Sequence, residues 1–203
     1  KALNYELGMD VFASKSLKIS WDVFQRDCKD LIDWATTAYA NMPRQENLSP
    51  TGSYLLAKNV SKITTSGTEL NVLYVKEFAN KTKLTSSVGL VWLDSKSNEG
   101  QMTLYLAAHA KLLSNFSIRY AAKGYAISLN GIYKIRTEQP GTAVIAAVTE
   151  NYFVANAKAE KNIWGNKLIA FVQVDNLFNT SYNDFLGTPM PSRWIMGGVR
   201  VGL

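Results

Sequence analysis

Long apolar runs are missing from this sequence. Hydrophobic residues make up 47% of it, yet polar and charged residues interrupt them everywhere. No stretch approaches the roughly 18 apolar residues that mark a transmembrane helix, so any membrane crossing must be built from strands. Cysteine is nearly absent: Cys28 stands alone, which excludes an internal disulfide and a paired-cysteine zinc site. His109 is the only histidine, so a histidine cluster is excluded, and a catalytic triad would rest on that one residue with no GxSxG motif to serve it. The net charge is +6, but Lys and Arg are scattered and no nucleic-acid motif accompanies them, which argues against a nucleic-acid partner. A basic, apolar, small-residue leader is also lacking at Lys1, so either a signal peptide has been removed or, the favoured expectation, this is an internal piece of a longer chain. Helical periodicity is scarce, a short helical turn within Asp30 to Ala40 being the one expected.

What is present is alternation. Tyr5 to Ala13 places Tyr5, Leu7, Met9 and Val11 on one face and Glu6, Gly8 and Asp10 on the other. Leu17, Ile19, Trp21 and Val23 repeat the pattern, and an irregular connection from Asp27 to Lys58, holding Pro43, Pro50 and Gly52, is expected to follow. Further strands are expected to end at Tyr74 and to cover Leu84 to Leu93, His109 to Tyr120, Tyr125 to Arg136 and Tyr152 to Ala159. The tract from Lys167 to Leu203 supplies a last pair joined by Asn176 to Ser192. The total is about nine strands, an all-β antiparallel arrangement. Expected connections alternate short and long: Ser14–Ser16, Asp27–Lys58, Phe78–Thr82, Asp94–Thr103, Ala121–Gly124, Thr137–Asn151, Glu160–Asn166 and Asn176–Ser192. Transmembrane β-barrels show this asymmetry, with tight periplasmic turns and longer extracellular loops. Runs of about 9 to 12 residues suit a tilted bilayer crossing better than the 5 or 6 of ordinary strands. Tyr120 and Tyr125 flank one short turn and Trp164 is expected inside another, where an interfacial girdle belongs.

The C-terminal tract carries a more specific signal. Val174-Asp175-Asn176-Leu177-Phe178-Asn179, then Tyr182, Asp184-Phe185-Leu186-Gly187, Pro189-Met190-Pro191 and Arg193-Trp194 resembles the C-terminal end of TonB-dependent outer-membrane receptors, in particular those of Bacteroidetes-like bacteria. It departs from the usual terminal aromatic by ending on Leu203. The resemblance implies that residues 1–203 are the C-terminal portion of a 22-stranded transmembrane β-barrel whose plug domain lies elsewhere. It implies residence in the outer membrane of a Gram-negative bacterium, and TonB-energised import of a scarce ligand of the iron-siderophore, haem or cobalamin class. Partners would be the remaining barrel and plug, the TonB complex, outer-membrane lipid and optionally a surface lipoprotein. No bond-making chemistry and no resident cofactor is implied, iron or cobalt arriving only within the cargo. The alternatives are a self-contained small porin or outer-membrane enzyme, and a soluble β-rich binding protein whose apolar face turns inward.

Candidate ligand contacts lie in the long connections: Trp34, Tyr39 and Arg44 in the first, Tyr182, Arg193 and Trp194 in the last. Aromatic anchoring and loop packing explain the same residues and are the favoured reading of them. His109 shares parity with Lys111, Ser117 and Arg119, which places it on the polar face as a candidate for ligating a metal within the cargo, against the commoner role of a hydrogen-bonded wall residue. Glu69, Asn130, Asp175 and Arg200 are expected to line the lumen.

Overall fold

A computed structural model describes residues 1–49, 51–97, 110–136, 147–165, 167–184 and 188–202. Those residues form one nine-stranded antiparallel sheet in which every strand pairs with its neighbours in sequence. The strands are β1 (Ala2–Ser14), β2 (Leu17–Ala38), β3 (Ser53–Glu77), β4 (Lys83–Ser97), β5 (Ala110–Ala122), β6 (Tyr125–Arg136), β7 (Asn151–Trp164), β8 (Leu168–Asp175) and β9 (Trp194–Val201).

Register converts sequence parity into two faces, because residues paired across an antiparallel ladder point to the same side. The row Met9–Trp21–Leu70–Leu90–Ser114–Tyr133–Phe153 runs across one face. One residue along, the row Gly8–Asp22–Glu69–Val91–Leu113–Lys134–Tyr152 runs across the other. The first face is apolar and uncovered: Leu7 is 71% exposed, Ile127 60% and Val199 63%. A soluble protein buries such a face against a second layer, and none is present among the described residues. No described helix is long and apolar enough to cross a membrane, which leaves strand crossings open.

Aromatics border the apolar band at both edges. Tyr74, Tyr120 and Tyr125 lie beside the short turns; Trp21, Trp92, Tyr133 and Phe153 lie toward the long connections. The Trp21 Nε1–H donates to Thr68 Oγ1 at 2.9 Å, satisfying the ring's polar tip. Beyond Val23 and Trp92 the same face turns polar, with Gln25 and Asp27 on β2 and Asp94 and Lys96 on β4. The Lys62–Asp27 and Lys96–Asp94 ion pairs lie on that polar extension.

The structure corrects the first long connection. β2 and β3 run for 22 and 25 residues and stay paired as far as Ala38 and Ser53, so Asp27 to Lys58 is mostly strand and the connection shrinks to residues 39–52. The helical turn expected in Asp30 to Ala40 is strand as far as Ala38, followed only by the short 3-10 turn Tyr39–Asn41. Cross-strand hydrogen bonding to β3 supplies partners that a lone helical turn would lack. Trp164 likewise belongs to β7, paired with Leu168 after a register shift, and the turn is confined to residues 165–167. The alternation of short and long connections holds: 15–16, 78–82, 123–124 and 165–167 are short, and all open on the same edge of the sheet.

Candidate functional site

The polar face carries two ion clusters, one near each edge. Toward the short turns, Glu160 is 8% exposed and faces three cations. Arg119 Nη1 lies 2.7 Å from its carboxylate, Lys158 Nζ 3.3 Å and Arg200 Nη1 3.6 Å. Strand pairing alone produces this convergence: Glu160 and Lys158 share a face two residues apart, Glu160 pairs with Ala126 of β6, and Arg119 reaches it from β5 while bonding Ser128. A cavity of about 230 Å³ opens beside the carboxylate, lined also by Lys81, Lys123 and Asn162. Three cations about one carboxylate leave the site electropositive, suited to an anionic group.

Toward the long connections, the chain after β8 runs back along β7 and brings Tyr182 and Asp184 onto the polar face. Arg136, 3% exposed, donates from Nε to Thr149 O at 2.8 Å, from Nη2 to Asn183 O at 2.7 Å, and from Nη1 to the backbone oxygen and carboxylate of Asp184. Lys134 Nζ reaches the same Oδ1 at 2.9 Å. Tyr182 stacks on Tyr152 with centroids 4.4 Å apart. Burial alone would raise the Asp184 carboxyl, but the Lys134 hydrogen bond and charge, with those of Arg136, outweigh it and hold the group below the usual carboxylate range. Burial, then the Asp184 charge, pushes the Tyr182 hydroxyl up.

A depressed carboxyl pKa contributes stability that is present above the unfolded value and disappears as pH falls through the folded one. Segment 176–184 is therefore expected to keep its hydrogen-exchange protection down to about pH 4 and to lose it below. Asp184→Asn should remove that transition and leave the segment poorly protected throughout; a variant with the parent's acid profile would show that the ion pair is not the anchor.

The turn that starts this segment is held by Asn176, 4% exposed with φ +51°. Its side-chain oxygen accepts from Thr180 N–H at 2.8 Å, and its Nδ2 donates to the Thr180 and Pro191 carbonyls. Its backbone N–H donates to Asn156 Oδ1, the Leu177 N–H to Ala155 O, and the Thr180 hydroxyl to Phe153 O. Asn179 Oδ1 accepts the Arg193 N–H. Phe178 joins Phe153 and Phe116 on the apolar face, with centroid spacings of 5.9 and 6.1 Å. The motif residues Asn176, Phe178 and Tyr182 therefore fasten the last connection to β7, and Asn179 ties it to Arg193 just before β9.

The proposed contact residues do not converge on one pocket. Trp34, 50% exposed, lies on the distal part of β2, and Arg44 is exposed in the 39–52 connection. The Tyr39 ring packs on Gly52, whose φ of +139° and close ring contact both require glycine. Arg193 and Trp194 are exposed at the start of β9. His109 lies outside the described residues, and a register shift between Ala110 and Leu112 interrupts the parity used to place it. Glu69, Asn130, Asp175 and Arg200 all lie on the polar face. Glu69 sits opposite Asp22, Asn130 accepts from Asn156 and Asp175 from Gln173. Sequence reasoning did not single out Glu160, Lys134, Arg136, Asp184 or Asn176 as site residues; strand alternation was the available signal for the first three, and the C-terminal motif for Asp184 and Asn176. Among the described residues no group of three or more His, Cys, Asp or Glu side chains could hold a metal ion.

An antiparallel sheet in sequential order, apolar on one face, charged on the other and bordered by aromatics is the wall of a transmembrane β-barrel. Solved structures agree on that fold. The pyoverdine outer membrane receptor FpvA from Pseudomonas aeruginosa PAO1 superposes with a TM-score of 0.70 at 16% identity, over 100% of this chain and 30% of its own. The FrpB iron transporter from Neisseria meningitidis gives 0.65 at 18% over 98% and 30%, and the siderophore receptor PirA from Acinetobacter baumannii 0.66 at 16% over 98% and 31%. The chain thus spans under a third of the length of the structures it matches. No family model matches it, nor does any curated protein sequence.

Proposed function

We propose that this chain is the C-terminal part of the barrel of a TonB-dependent receptor in the outer membrane of a Gram-negative bacterium, and that it imports a scarce ligand, an iron chelate first among the candidates. The observation that carries this reading is the uncovered apolar face set against an ion-paired opposite face. That pattern fits a wall between lipid and a filled, wet lumen. The similar structures include an iron transporter and siderophore receptors beside the copper transporter OprC, and the first two kinds support an iron chelate as the cargo.

β1 and β9 are edge strands, and open edges are untenable in hydrocarbon, where each unpaired backbone group lacks water. Further strands therefore complete the barrel, toward the 22 of this receptor class, and a plug occupies its lumen. The Bacteroidetes-like character of the C-terminal motif supports an origin among such bacteria.

The test uses the intact gene in its host. Deletion should abolish energy-dependent uptake of a ferric siderophore while leaving passive solute entry unchanged, and the protein should fractionate with the outer membrane. Recovery in a soluble fraction without detergent would overturn the membrane reading. Normal ferric-siderophore uptake with lost haem or cobalamin uptake would overturn the ligand assignment alone.

A further inference from the structure

We infer that the short-turn edge of the sheet binds the phosphate headgroups of anionic phospholipids. This rests on the membrane-barrel reading and adds a partner to it. Lys15, Lys76, Lys81, Lys123, Lys161 and Lys167 all lie at that edge and are all exposed. Lys76 and Lys161 share the apolar face with Tyr74 and Tyr125, while the other four sit in or beside the turns. None of the six makes an ion pair among the described residues. The carboxylates at this level, Asp10, Glu77 and Glu160, lie on the polar face, and Lys18, Lys83 and Arg119 engage them there. Lys76 and Lys161 on the apolar face, and the four lysines of the turns, are thus left without ion-pair partners among the described residues.

Three of them rest on aromatic rings. Lys76 Nζ is 5.6 Å from the Phe78 centroid, Lys161 5.1 Å from Tyr125 and Lys167 6.0 Å from Trp164. A ring seated at the border of an apolar band, with an ammonium against it, places the cation at headgroup depth with its stem along apolar surface. At the opposite edge Lys62 and Lys96 on the same face are matched by Asp27 and Asp94. In a barrel, short turns face the periplasm, so the lysine edge meets the phospholipid leaflet on that side. Anionic lipid attracts each such lysine independently, and several in a row give preference over a zwitterionic lipid of equal chain length.

The experiment measures lipid association with the full-length protein in phosphatidylcholine bilayers, using spin-labelled phosphatidylglycerol and spin-labelled phosphatidylcholine as probes. The motionally restricted signal should favour phosphatidylglycerol about fivefold at low salt, a ratio shrinking as salt screens it. Changing Lys76, Lys81, Lys123, Lys161 and Lys167 together to Gln should bring the ratio close to one; the same positions changed to Arg should keep it, and Lys58→Gln with Lys62→Gln should leave it unaltered. Equal association of the two lipids with the parent protein, or an undiminished ratio in the Gln variant, would overturn the inference. No restricted signal from either lipid would overturn the membrane barrel instead.

Discussion

Arg136→Ala is expected to detach the last long connection from the wall, lowering the local stability of segment 176–193 by about 3–5 kcal/mol, the range for breaking a buried ion pair by removing one partner. The guanidinium supplies three backbone carbonyls and one carboxylate with donors, and it lies 5.9 Å from the Tyr152 ring centroid. Alanine leaves these acceptors unpaired in a site where Arg136 itself is 3% exposed. Arg136→Lys keeps the charge but not the fork, and should recover less than half of the loss. Hydrogen exchange across 176–184 and limited proteolysis of the connection both report it. Unchanged protection in the alanine variant would mean that Tyr182 on Tyr152 suffices to hold the segment.

A second substitution acts at the root of the same segment. Asn176→Ala should cost about 3 kcal/mol, combining lost side-chain hydrogen bonds at about 1 kcal/mol each with a non-glycine, non-asparagine residue at positive φ. Asn176→Gly separates the two contributions: it tolerates the φ of +51° but restores no hydrogen bond, so it should fall between parent and alanine. Urea unfolding followed by exchange in the β8–β9 hairpin gives the order. If Gly equals the parent, the side-chain bonds to Thr180 and Pro191 contribute nothing net, and conformation alone selects asparagine here.

These two residues show where sequence stops being legible. Strands β4 to β9 could be read because one face meets an apolar surrounding and the other does not, so side chains obey a period of two. β6 was placed at Tyr125 to Arg136, its bounds in the structure. The distal halves of β2 and β3 were not readable, because beyond Val23 both faces carry polar residues. Asp27 to Ala38 then mixes Asp, Lys, Ile, Trp and Thr without order, and only pairing reveals the strand. Arg136 ends the strand expected at Tyr125 to Arg136, but its partner is Asp184, 48 residues away, brought there by a turn whose geometry depends on a single asparagine. The motif around Asn176 was legible as a family signature; its physical role emerged only from its hydrogen bonds.

The excess length of β2 and β3 has a consequence outside transport. At roughly 3.3 Å per residue, strands of 22 and 25 residues extend about 70 to 80 Å along their axes, whereas a tilted crossing of the hydrocarbon needs only about 10 residues. More than half of the hairpin then stands clear of the bilayer, with Ile32 75% exposed and Tyr54 59% exposed near its tip. On an intact cell this ribbon would be the part met first by antibodies, phage tails and proteases, and the place where an epitope tag could be displayed without disturbing the wall below.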